Sequence, residues 1–444
     1  MKDEAREPGR YVVRVRPPLV PAAFGAPRDG SGQSGVETLR RHYAADAGFL
    51  FGVARQALAT VLSAAGVGRG DEVVLADFNC STVLDSVESV GARGRFVDVH
   101  DDWTYDCAQL EKALAAPGVR AFVVTHFFGK SAWTPALLEL VRALRARGVL
   151  VVEDCAHSMM DLAQPDVGSR GDAVIFSVGN DKPAAACKCG VLLVRGEALA
   201  DAVSRRYADL PERPAEEERL LAVWCLVYWA LTAPEVCKPG IVSVLPRTDC
   251  LPTEAEYAEL VDAFAREPTL ATLRRFPSAA NLIENASRPG APLTCTPFRA
   301  GPLAHRILSA VLADGSLARA NDWRTKVRLT IDKGLGVENG PGARLRYTVA
   351  FPDETGARRA IELAKGAGIE ADCFNWSPLL SVGRGMVRDI PAWAVRPERV
   401  VNFPSHQGVG EKESAAIVAA IRDGADFGIA STIQGQHKKG EQTR

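Results

Sequence analysis

The chain has 444 residues, with 53 Lys and Arg against 54 Asp and Glu, a formal net charge of −1 and 47% apolar residues. That length permits two cores, and the balanced charge excludes a general polyanion-binding surface, so no nucleic-acid partner is expected. The 10 cysteines are scattered without the spacing of a disulfide framework, which fits a reducing, cytoplasmic setting.

Taken in order, residues 1–45 are rich in Pro, Gly and Arg and read as an N-terminal arm, its first ten residues charged and without the apolar core of a secretory signal. From Gly52 to Gly66 apolar residues recur at helical spacing, and the start of that helix, Ala54-Arg55-Gln56, presents backbone N–H groups of the kind that suit a phosphate. Glu72 to Leu75, Arg95 to Val99, Ala121 to Val124 and Val149 to Val152 read as strands, separated by helices beginning near Asp77, Gln109 and Pro135. Ala173 to Val178 and Val191 to Val194 read as two more strands. This alternation predicts an α/β fold with a mostly parallel sheet between helices.

The later chain is less regular. Leu220 to Ala233 is the longest apolar run, too short to span a bilayer and closed by Pro234. It reads as a buried helix or a subunit contact ahead of a membrane-surface patch, and no membrane span is expected. Ala300 to Leu317 and Glu354 to Gly368 read as helices, Arg344 to Ala350 as a strand, Val400 to Pro404 as a short edge-like strand, and Lys412 to Asp423 as a last helix. The expected organisation is an arm over 1–45, a large domain over 46–255, a smaller C-terminal α+β domain over 256–430 with a divergent linker region, and a polar tail over 431–444. Cys187-x-Cys189 lacks a second pair or a histidine at ligand spacing, so no metal site is expected.

Chemistry concentrates between Val149 and Lys182. One apolar run ends on Glu153-Asp154; the next carries Ser177 near its end and is followed by Lys182. In open α/β sheets, function collects at the carboxyl ends of the strands, so an acid, a hydroxyl and an amine should share one rim. A lysine amine can condense with an aldehyde cofactor, a carboxylate can hold the cofactor's ring nitrogen protonated, and a serine hydroxyl can bond its phosphate. For each residue singly, a helix cap or a solvated loop is the plainer reading.

An ordered set of segments resembles the DegT/DnrJ/StrS sugar aminotransferases, which are fold-type I enzymes using pyridoxal 5'-phosphate. VARQAL, GRGDEVVLADFNCSTV, THFFGK, VVEDCAHS, FSVGNDK, TPFRAGPLAHRIL and NFPSHQGV follow the family's order between Gly52 and Ile421, with a poor region over 200–295. Ser177 and Lys182 are five apart, as in that family. The resemblance implies that Lys182 carries the cofactor and that Asp154 pairs with its ring nitrogen, supported by His157 or Ser158. Ser177 and the backbone at Arg55 and Gln56 would hold the phosphate, and Cys80 stands where a flat group usually covers the ring. It also implies a homodimer that moves an amino group from an amino acid, usually glutamate, to a nucleotide-linked keto sugar in polysaccharide or antibiotic biosynthesis.

The departures lie at the cofactor. Phe78 is two residues out of register with the ring-covering position, Arg55 replaces a threonine, Cys189-Gly190 replaces a double glycine, and Pro297 stands where the family supplies an asparagine from the second subunit. Alternatives are an enzyme acting on a non-sugar ketone in natural-product biosynthesis and a pyridoxal-phosphate-binding sensor or scaffold without turnover. Relatives that dehydrate sugars carry histidine at the lysine position; Lys182 argues against that activity. Further candidates are His126 and His406 for substrate contact, Arg299 and Arg346 for a carboxylate or diphosphate, and Trp376, each balanced by a structural role.

Overall fold

The computed structural model describes residues 11–13, 15–16, 21–25, 34–234, 236–237, 240–288, 290, 295–373 and 397–425. Trp376 and the tail from 431 lie outside them. Helix α1 (Gly35–His42) leads to β1 (Ala47–Phe51) and α2 (Ala54–Ala64), followed by β2 (Glu72–Ala76), α3 (Ser81–Ser89), β3 (Arg93–Val97), α4 (Cys107–Leu114), β4 (Val119–Thr125), α5 (Pro135–Ala146) and β5 (Leu150–Asp154). Next come β6 (Ala173–Val178), β7 (Cys189–Val194), α6 (Glu197–Ala208), α7 (Ala215–Leu231), α8 (Glu254–Arg266), α9 (Leu270–Leu273), α10 (Pro277–Glu284) and α11 (Pro302–Ala313). The chain continues through α12 (Ser316–Leu335), β8 (Tyr347–Ala350), α13 (Glu354–Gly366), β9 (Asp372–Cys373), β10 (Val400–Phe403) and α14 (Glu411–Ala425).

The large sheet has seven strands in the order β1-β7-β6-β5-β4-β2-β3. β3, β2, β4, β5 and β6 run parallel, while β7 is antiparallel to both β6 and β1. The reversal at β7 has a simple cause. Only residues 179–188 separate β6 from β7, too few for the crossover that a parallel neighbour needs. The expected reactive lysine therefore sits on the loop of an antiparallel hairpin.

Side-chain alternation divides each strand between two faces. Ala173 and Ile175 of β6 and Ala121 and Val123 of β4 join the core under α2, α3 and α6. Val174, Phe176 and Val178 face a second core filled by α1, α7, α8, α10 and α11. Phe122, Val124 and Val151 face a third beneath α4 and α5. Caps fix the helix starts: Asp106 accepts the Ala108 and Gln109 N–H groups, and Thr134 accepts that of Leu137 ahead of Pro135, each worth about 1 kcal/mol.

The apolar run at 220–233 lies largely within α7. Its Trp224, Leu226 and Val227 are fully buried, so it is a core helix, and no helix of the described residues is long and apolar enough to cross a membrane. Tyr257, Leu260, Phe264, Leu282 and Ile307 pack in the same core, which carries it well past residue 255. Residues 35–42, read as part of an arm, form a helix whose Val36 and Leu39 enter this core. The second body is built on Val327, Ile331, Val349, Val401, Phe403, Ala360 and Ile417 from α12, the small sheet, α13 and α14. Its strands run antiparallel in the order β8-β10-β9. β10 is thus the central strand, which corrects the edge reading; Pro404 lies just beyond its last paired residue, Phe403. The helix expected over 300–317 is two helices, because Gly315 adopts a left-handed φ of 71° between α11 and α12.

Candidate active site

The expected residues share one rim of the large sheet. Asp154 closes β5, paired in register with Thr125 of β4 and Ile175 of β6. Ser177 of β6 lies opposite Gly190 of β7, which lies opposite Phe51 at the end of β1. This row explains Gly190. A Cβ there would stand 2.3 Å from Ala54 N, so glycine alone lets the start of α2 close onto the sheet beside Ser177. Gly179 separates the hydroxyl from the lysine: its Cβ position is 3.9 Å from Ser177 Oγ and 3.5 Å from Lys182 Cγ.

Charge organises the rim. Burial pushes the Asp154 carboxyl above its usual range, opposed by the Ala156 N–H and by the positive charge of Lys182. The Ala156 N–H donates to Asp154 Oδ1 at 3.0 Å. Among the described residues the Lys182 side chain has no hydrogen bond or ion pair. Burial also raises Asp181, but Lys182, Arg346 and Lys188 around it outweigh that and hold it low.

His157 is neutral: burial depresses it well below the usual histidine range, and Lys182 and Arg346 depress it further. Its Nδ1 accepts the Phe128 N–H at 3.2 Å, which places its proton on Nε2. The rings of His157 and Phe128 stack 5.9 Å apart at 18°. Phe128 has φ 55°, held there by His157 and by the Leu345 N–H donating to its carbonyl at 2.9 Å. A Cβ on Gly129 would meet the His157 and Ala343 carbonyls at 2.9 and 3.0 Å. The turn after β4, the turn after β5 and the approach to β8 therefore lock together beside Asp154.

Other candidates resolve differently. Gln56 lies at the start of α2, but its N–H donates to Val53 O, while its side chain accepts from Val53 N and donates to Thr296 O at 2.7 Å. Its visible bonds fasten the helix start. Arg55, the second residue of α2, is half-buried. Cys80 stands at the head of α3 with Sγ 3.2 Å from Thr82 Oγ1. Phe78 turns into the core against Trp103, its ring centroid 5.6 Å away. The segment around Pro297 approaches α2 from within its own chain: Gly52 N–H donates to Phe298 O at 3.0 Å, and Arg299 bridges to Phe51. Arg299 also donates to Leu210 O, whereas Arg346 reaches Asp181 at 3.5 Å, beside Lys182.

Both histidine candidates for substrate contact are structural. His126 Nδ1 accepts the Ala132 N–H, so Nε2 carries the proton and donates to Glu153 at 3.0 Å. Glu153 also accepts from Trp133 and from the Gly168, Arg170 and Gly171 N–H groups. Burial pushes this acid up, but His126 and the backbone donors prevail and the net direction is down. Sequence reasoning gave Glu153 no role; its one signal is a second acid at a strand end, inward while Asp154 faces the rim.

His406 donates Nε2–H to Val13 O and accepts the Gly408 N–H on Nδ1. Burial, partly offset by the Val13 bond, pushes it down to about 3. Above the unfolded value near 6.5 neither state is protonated; as pH falls from 6.5 towards 3 the unfolded chain gains a proton that the fold refuses. This site alone should remove about 4–5 kcal/mol of stability by pH 3. Melting against pH should therefore fall less steeply below pH 6 for His406→Gln than for the wild type; parallel curves would show that the histidine is protonated in the fold.

An amine with no hydrogen bond or ion pair among the described residues, an acid at the neighbouring strand end and a helix start pressed onto glycine beside a serine fit pyridoxal phosphate: Lys182 would attach it, Asp154 would hold its ring nitrogen, and Ser177 and the α2 start would take its phosphate.

Residues 38–208 match the profile of the DegT/DnrJ/EryC1/StrS aminotransferase family. The chain is 32% identical over 174 residues to the spore coat polysaccharide biosynthesis protein SpsC of Bacillus subtilis, covering 38% of this chain and 44% of SpsC. It is 35% identical over 124 residues to the dTDP-3-amino-3,4,6-trideoxy-alpha-D-glucose transaminase of Micromonospora megalomicea, covering 27% of this chain and 32% of that enzyme. The matches thus span less than half the length of these curated relatives. Among solved structures, the aminotransferase TlmJ from Streptoalloteichus hindustanus superposes with a TM-score of 0.63 at 18% identity, over 93% of this chain and 98% of TlmJ. PseC of Helicobacter pylori gives 0.64 at 12% identity, over 94% and 100%. The fold is thus that of these solved aminotransferases, and residues 38–208 resemble the DegT/DnrJ/EryC1/StrS aminotransferase family.

Proposed function

We propose that the protein is a pyridoxal-phosphate-dependent aminotransferase that moves an amino group from an amino acid, glutamate by preference, to a nucleotide-linked keto sugar, and that it works as a homodimer. The observation that carries this reading is the placement of Lys182, in the loop after β6, and Asp154, at the end of the adjacent parallel strand β5, within range of each other's field. The names of its relatives, a polysaccharide biosynthesis protein and a nucleotide-sugar transaminase, support the substrate class.

When bound, the cofactor supplies an electron-withdrawing ring that carries the amino group between donor and acceptor. In this reading Lys182 attaches the cofactor, yields to the incoming amine, and moves the proton of the donor's α-carbon through Nζ. Asp154 keeps the ring nitrogen protonated. His157, neutral and packed on Phe128, fixes the wall behind Asp154. With glutamate and a panel of nucleotide keto sugars, mass analysis should show 2-oxoglutarate and one aminated sugar. If glutamate yields its keto acid while only non-sugar ketones are aminated, the sugar assignment is wrong. If no keto acid forms from any amino acid, the transferase assignment is wrong.

A further inference from the structure

The β6–β7 loop carries a second amine. Lys188 and the preceding Cys187 adopt φ values of 54° and 49°, consecutive left-handed residues without glycine, a conformation that costs about 1–2 kcal/mol per residue. This turn keeps Lys188 half-buried, and among the described residues its side chain makes no hydrogen bond or ion pair.

Its surroundings are cationic. Burial lowers its proton affinity, Asp181 and Cys225 work against that, and Arg55 and Lys182 lower it further. Asp181 is shared with Arg346 at 3.5 Å. Two residues on, Gly190 touches Ala54 at the start of α2 and pairs with Ser177. Lys188 thus stands where Lys182, Ser177 and the first turn of α2 converge. On the neighbouring segment Thr296 O accepts from Gln56 Nε2, and Pro297 has no N–H to offer an anion. Two amines, Lys182 and Lys188, neither with a hydrogen bond or ion pair among the described residues, meeting at a helix start beside a serine suit a bound anion.

We propose that Lys188 binds the phosphate of the cofactor at the start of α2. The inference rests on the reading of Lys182 as the cofactor lysine. The test compares pyridoxal phosphate with pyridoxal, which lacks the phosphate, by absorbance titration of the cofactor-free protein. Lys188→Gln should weaken pyridoxal phosphate about ten- to hundredfold and leave pyridoxal unchanged. Lys188→Arg, which keeps the charge, should stay within about threefold of wild type. Unchanged pyridoxal phosphate affinity in Lys188→Gln, or equal loss of both ligands, would overturn the proposal. In either case a borohydride-fixed pyridoxyl group on Lys182 of the wild type would show that the underlying reading survives; a wild type that binds no pyridoxal phosphate would remove both.

Discussion

Lys182→Ala is expected to abolish amino transfer, a loss on the order of a thousandfold or more, and to erase the absorbance band of the lysine-bound cofactor. The reasoning is local. Lys182 sits on a short hairpin loop whose turn is closed by its own N–H donating to Gly179 O at 3.2 Å, so its position is set by backbone. Its side chain makes no hydrogen bond or ion pair among the described residues. Truncation should therefore leave the fold intact, with stability changed by no more than about 0.5 kcal/mol. Unchanged melting together with lost transfer separates a chemical role from a structural one. A variant that keeps the band would place the reactive amine elsewhere.

Asp154→Asn is expected to keep the cofactor bound while turnover falls about a hundred- to a thousandfold. Asparagine preserves the shape and can still accept the Ala156 N–H, but it carries no charge to hold a ring nitrogen protonated. Stability should move the other way. The folded-state carboxyl is raised, so as pH climbs from the unfolded value through the folded one, the unfolded chain ionises first and the native state loses ground. At neutral pH the cofactor-free Asp154→Asn protein should melt at or above the wild-type temperature. Near-normal turnover, or a clear drop in melting temperature, would take Asp154 out of this role.

The rim was legible in the sequence because its strands are continuous apolar runs. β6 lies over the residues read for it, Ala173–Val178, and β5 ends on Asp154. Strands buried on both faces carry that signal regardless of neighbours. What escaped had a different physical origin. α12 buries Asn321, Arg324, Arg328 and Asp332, with Arg328 paired to Asp332 at 2.7 Å. These polar residues interrupt the buried apolar stripe of Leu317, Ala320, Val327 and Ile331 and blur its period. β1 is a five-residue edge strand, AGFLF, with a glycine inside it, too short to show alternation. Glu153 and Asp154 are adjacent acids of one strand, and only the sheet reveals that one is locked by three backbone N–H groups while the other faces the rim. Lys188 lies in a loop where sequence gives no geometry; left-handed backbone at Cys187 and Lys188 brings it beside Arg55 and Lys182.

Borohydride reduction of the protein incubated with pyridoxal phosphate, followed by peptide mapping, tests the central claim most directly. A pyridoxyl group on the peptide holding Lys182 is the predicted result. A protein that takes no label, or takes it on Lys188 or any other lysine instead, would contradict the account.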